Sequence, residues 1–268
     1  MTLQEIVAEK QRAYDTLYAQ TKIALDELGV AKMNLAEYLR RPRIKLALIN
    51  DGGIPEDVMA VYKTVLEEQI AELKTKWPLP EVDVITTAEA GAWTAIISLK
   101  GRKLGADGYH NVTRAGIPFA LIVPGTGRNP YGTYRFGRLA FKIGKVLFPA
   151  RAEYKRSGVL TVLVHEVIEM LVDPLVKTRT EKADPQGRKW LIEVCSTSVM
   201  GGYYMKKIAG KLCILPNFSY PSAYDSCGVA PFDYLGVLKK PWTVTAKSYP
   251  YQLTDEGKLV KILDAELV

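Results

Sequence analysis

Ser157-Gly158-Val159-Leu160-Thr161-Val162-Leu163-Val164-His165-Glu166-Val167-Ile168-Glu169-Met170-Leu171-Val172-Asp173-Pro174 is the stretch on which the reading of this chain turns. Serine suits a helix N-cap and proline closes a helix, so the spacing predicts a helix over 157–173. Nearly every side chain between those ends is apolar, which requires most of the circumference to be buried. The polar exceptions are ordered. Thr161, His165, Glu169 and Asp173 recur every fourth residue, and Glu166 sits beside them, so all five share one stripe.

Carboxylates next to an imidazole on a buried helix are costly unless they are paired or bind a metal. The His165-Glu166-x-x-Glu169 pattern offers a reason for the layout. Residues at i and i+4 can reach one zinc ion, and the residue after the first ligand can aim at a water held by it. His165 and Glu169 are then metal ligands, and Glu166 is the catalytic general base. The competing reading is a polar stripe that faces solvent or closes an internal hydrogen-bond network.

A catalytic zinc ion takes three protein ligands and keeps an open position. With only two histidines in the chain, His110 and His165, a three-histidine site is impossible. A third ligand must be acidic or a thiol. Glu193, in the apolar run Trp190-Leu191-Ile192-Glu193-Val194-Cys195, is the first choice. Asp173 is the second, either as a ligand or as a group that orients one. Cys195 is the third, although a buried thiol is usually plain core.

Working outward, residues 1–39 carry apolar side chains in 4-3 alternation, among them Leu3, Val7, Tyr14, Leu17, Leu28 and Leu35. That stripe suits an oligomerisation or docking helix, or an amphipathic helix packed on its own domain. Arg41-Pro42 ends it. The chain therefore divides into a helical segment 1–40 and an α+β domain 41–268 with a small mixed sheet. Strands are expected at 44–50, 82–85, 93–99 and 119–123, and a second helix from Pro55 to Lys76. Arg135, Arg138, Lys142 and Lys145 recur at helical spacing, which reads as a basic helical face within 134–156. Tyr251–Leu253 and Leu259–Leu263 read as a hairpin.

Composition narrows the rest. The chain has 268 residues, 48% hydrophobic and 24% charged, enough for a sizeable core without disulfides. Its three cysteines lack CxxC spacing, which argues against a disulfide framework and fits a reducing cytoplasm. No stretch has the length and apolarity of a membrane span, and the start Met1-Thr2-Leu3-Gln4-Glu5 does not resemble a classical export signal. A net charge of +7 permits an acidic partner without pointing to nucleic acid.

Four segments together resemble a family of zincin-like proteins found in bacteriophages and bacterial genomes. They are Gly108-Tyr109-His110, the 164–174 helix, Glu193-Val194-Cys195-Ser196, and Asn217-Phe218-Ser219-Tyr220-Pro221. Tyr234-Leu235-Gly236 with Pro241-Trp242 is similar to that family's closing segment, so the likeness covers about residues 93–245. It implies a zincin-like fold and a zinc metallopeptidase-type hydrolase, with a downstream glutamate, here Glu193, completing the site as in gluzincins. His110 stands where the family also has histidine, as a ligand, a transition-state donor or a structural hydrogen bonder. The chain departs from the family pattern at Ser196, where aspartate is usual, and at Val164, where serine is. A degenerate site is one consequence, and Ser196→Asp is then expected to tighten metal binding. The other function the chain suits is a non-catalytic phage virion or assembly protein. The N-terminal stripe and the basic run favour a protein partner or a homo-oligomer for it. Phage virion and bacterial host cytoplasm are the locations implied.

Overall fold

The computed structural model describes residues 43–98, 107–123, 130–143, 146–156, 158–176, 180, 182–196, 203–245, 248, 250–253, 259–262 and 266–267, with 133–143 and 146–156 as backbone only. The helix expected within 1–40, the domain boundary after it and the Ser157 cap lie outside the described residues.

Strand β1 (Arg43–Asp51) runs through the middle of the fold because Ile44, Leu46, Ala47 and Leu48 are all buried. It pairs in parallel with β2 (Glu81–Ile85) on one side and with β3 (Trp93–Ser98) on the other. Parallel neighbours need a crossover, and α1 (Glu56–Lys74) supplies the one from β1 to β2. The Asn50 side chain ties the turn into it, accepting from Ile54 N–H and donating to Ile54 C=O. Acidic Glu56 and Asp57 at the start of α1 and Lys74 at its end suit the helix dipole.

On the far side β3 pairs in parallel with β5 (Pro118–Ile122), and β4 (Gly108–Val112) closes the sheet antiparallel to β5. The order is β2-β1-β3-β5-β4, a five-stranded mixed sheet. Alternation along β5 sends Ala120 and Ile122 into the main core and Phe119 and Leu121 into a small cluster on the opposite face, with Ile96 and Tyr109.

The motif helix, α2 (Val159–Val172), is buried along its length except at His165 and Val172. It packs on β3, β4 and β5, on α1, and on β9 (Lys211–Pro216). Its N-cap is Gly158, and the first turn is satisfied by Thr161, whose Oγ1 accepts from Gly158 N–H and donates to Ile214 C=O at 2.7 Å. Its end is where Pro174 predicts, with Asp173 N–H donating to Glu169 C=O. β9 forms a hairpin with β8 (Tyr203–Ile208) through Ala209-Gly210. Both turn residues have positive φ, 47° and 76°, as a two-residue type I′ turn requires.

The basic helical face expected within 134–156 is overturned. β6 (Thr133–Ile143) and β7 (Val146–Arg156) form one long antiparallel hairpin, paired from Thr133↔Arg156 to Ile143↔Val146. The aromatic and β-branched residues Tyr134, Phe136, Phe141, Ile143, Val146 and Phe148 favour strands, and this preference outweighs the cation spacing. Cations three or four apart mark a face only if a helix forms. The expected C-terminal hairpin is present as β11 (Tyr251–Leu253) and β12 (Leu259–Lys261), while β10 (Thr243–Val244) pairs in parallel with β13 (Glu266–Leu267). The fold is α+β, with two helices and a five-stranded mixed sheet among the described residues. No described helix is long and apolar enough to cross a membrane.

Candidate metal centre

The site is built where α2 crosses the edge strand β4. Gly108 and His110 stand opposite Ile122 and Ala120 in the β4–β5 register, so they share the face that meets α2. Tyr109 points the other way and packs edge-on against Phe119, with ring centroids 6.0 Å apart. Through this alternation His110 arrives over the polar stripe of the helix. Its Nδ1 lies 3.6 Å from Glu166 Oε2 and 3.8 Å from Glu169 Oε2.

Glu169 is the hub. One of its oxygens, Oε2, is 3.1 Å from His165 Nε2. The other, Oε1, accepts the backbone N–H groups of Cys195 at 3.1 Å and Ser196 at 2.9 Å. The carboxylate is thus fixed in orientation from both ends while only 3% exposed. Ser196 contributes here through its main chain. The Cys195 thiol is wholly buried, and burial followed by the charges of Glu169 and Glu166 pushes it well above its ordinary value, so it is core and not thiolate. Asp173 is wholly buried at the C-terminal end of α2, where its main chain binds Glu169 and Val176.

Among the described residues, one set of three metal-ligating side chains converges, His110, Glu166 and Glu169, with ligand atoms all within 4.8 Å of one another. His165 joins the set only through Glu169. Glu193 is half-buried beside it and feels Glu169, His110, His165 and Glu166. The three residues predicted as ligands, His165, Glu169 and Glu193, therefore sit in one electrostatic neighbourhood, and the convergent set keeps Glu169 with His110 and Glu166 beside it.

The electrostatics follow from burial and pairing. Burial opposes a charge on His165, yet the Glu169 carboxylate overcomes it and raises the imidazole to about 9. His110 is raised too, against burial, by its contacts with Glu166 and Glu169. Burial would raise Glu169, but the facing His165 and His110 and the Ser196 N–H hold it well below the usual carboxylate range. Burial and the Glu169 charge instead push Glu193 up to about 8.

These residues fit a metal ion. Two ligands about 2.0–2.1 Å from a tetrahedral ion stand roughly 3.3 Å apart. The separations of His110 from the two glutamates are slightly longer than that and too long for strong direct hydrogen bonds. His110 Nε2 is buried and has no hydrogen-bond partner among the described residues, so neither ring nitrogen is fully satisfied by them.

A cleft of about 140 Å³ opens beside the cluster, lined by Asp107, Gly108, Thr161, Val162, His165, Glu166 and Tyr203. The main-chain bonds Val123 N–H to Asp107 C=O and Thr113 N–H to Ile117 C=O mark the odd-numbered residues of β4 as those bonded to β5. Gly108 and His110 accordingly turn their N–H and C=O groups away from β5, toward an edge that no strand pairs among the described residues, next to the cleft. Residue reasoning alone missed Gly108, Tyr203 and the backbone donors of Cys195 and Ser196, and the family resemblance was the one pointer to His110. A glycine and a histidine two residues apart in a short strand are the signal that was there to read. Comparison with known proteins finds no matching family model, no similar curated protein and no similar solved structure.

Proposed function

We propose that this chain is a metal-dependent hydrolase of peptide bonds with a zincin-like site, in which His110, Glu166 and Glu169 hold the ion. The observation that carries this reading is the convergence of three buried ligating groups on the HExxE helix and its neighbouring edge strand. A bound zinc ion would supply Lewis acidity at a carbonyl and an acidified water at neutral pH. The chain's own groups provide the rest. Cys195 and Ser196 N–H hold Glu169 in one orientation. Glu193, raised to about 8, is poised to take up and return a proton near neutrality. His165, raised to about 9, offers a proton next to the cleft. The outward main-chain groups of Gly108 and His110 suit an extended peptide laid along β4.

A second assignment of roles is favoured by the 3.1 Å approach of His165 to Glu169, one helical turn apart. In it His165, Glu169 and Glu193 hold zinc and Glu166 is the base, as the motif implies. Glu166→Gln and Glu193→Gln separate the two. Under the first assignment Glu166→Gln loses metal, while Glu193→Gln keeps metal and loses peptide hydrolysis. Under the second the outcomes exchange. A wild-type protein with neither metal nor hydrolysis refutes both and leaves the non-catalytic phage-assembly scaffold.

A further inference from the structure

We propose that Gly108 is a positioning residue: the hydrogen in place of its side chain is the gap through which α2 approaches β4 closely enough to set Glu166 against His110. A Cβ at position 108 would lie 2.7 Å from Val162 Cγ1, 2.9 Å from Glu166 Cγ and 3.1 Å from Glu166 Oε1. Real non-bonded carbon contacts are about 3.5–4.0 Å, so something would have to move. Neither carbon neighbour is the loose end of a flexible chain. Val162 is β-branched, stiff at χ1 and buried, and Glu166 Cγ lies close to the helix backbone.

Backbone conformation does not explain the glycine. Gly108 is not among the glycines with positive φ, and it sits in a regular ladder with β5. In such a strand glycine is otherwise a cost, and it marks places where another element comes unusually near. Here the near element is the turn of α2 from Val162 to Glu166, and Glu166 lies 3.6 Å from His110, two residues along the same face of β4. The absent methyl group therefore sets the spacing of the cluster.

A size exchange tests this with two readouts. Gly108→Ala is expected to lower the melting midpoint of the metal-free protein by roughly 2–10 °C, as overpacking does. It is expected to weaken cobalt or zinc binding about 10–100-fold and to alter the visible spectrum of the cobalt form. Val162→Ala in the same chain makes room for the new methyl. The double variant is then more stable than the two single losses predict by addition, and it recovers part of the cobalt affinity. Additive losses, or a Gly108→Ala protein with wild-type affinity and spectrum, would overturn the proposal. The metal arm rests on the proposed metal centre, whereas the stability arm does not. A wild-type protein that binds no metal defeats the functional reading and still leaves the size exchange to decide the role of Gly108.

Discussion

Glu169 shows how one side chain can organise a site. Its carboxylate faces two imidazoles and takes two main-chain N–H groups, all with almost no solvent. Removing it leaves the main-chain donors of Cys195 and Ser196 and the half-buried His165 imidazolium without their acceptor. Glu169→Ala should therefore cost about 3 kcal/mol or more in chemical denaturation of the metal-free protein. Ser196→Ala should cost little in stability or metal affinity, because its contribution runs through the main chain. A large effect of that variant on metal binding would return the role to the hydroxyl. The stripe that carries Glu169 was legible in the sequence, since five polar residues at helical spacing stand out from an apolar run. The donors at Cys195 and Ser196 were not, because any residue type supplies a backbone N–H and sequence records only side chains.

Among elements, α2 carries two of the three convergent ligating groups, Glu166 and Glu169. Thr161 joins it to Gly158 and to Ile214 on β9, at a position that is 1% exposed. Thr161→Val keeps the shape and removes both bonds, so it should destabilise by about 1–3 kcal/mol in denaturant unfolding. A neutral effect would mean that water or a relaxed backbone replaces the hydroxyl. β4 explains why half of the candidate site was hard to read. In Gly-Tyr-His-Asn-Val little apolar alternation marks the inner face, since Gly108 and His110 share it with Val112 alone and the aromatic Tyr109 points away. The β6–β7 hairpin fails for the opposite reason. Its cations imitate a helix period over one stretch, and the strand preference of the residues between them decides the outcome.

At the scale of the whole molecule, the cluster makes stability depend on pH. His165 is raised from 6.5 to about 9, so its contribution is full below 6.5 and lost as pH rises through 9. Glu193 is raised from 4.5 to about 8, so the folded state favours its neutral form and loses stability as pH climbs from 4.5 to 8. Glu169 is depressed, so its contribution is present above 4.5 and lost in acid. With the metal chelated, the melting midpoint should fall between pH 5 and pH 9. Zinc replaces protons at the cluster, so excess zinc should flatten or reverse that slope. Parallel slopes with and without zinc would place the titrating groups away from any metal.

The most direct measurement is the metal content of the purified protein after incubation with zinc and removal of the excess. The proposed centre predicts about one equivalent per chain in the wild type. It predicts a loss of that metal in both His110→Ala and Glu169→Ala, with each variant shown to be folded by circular dichroism. Full zinc occupancy in folded His110→Ala would remove the edge strand from the centre, and a wild type that retains no zinc would contradict the proposed metal centre in either assignment.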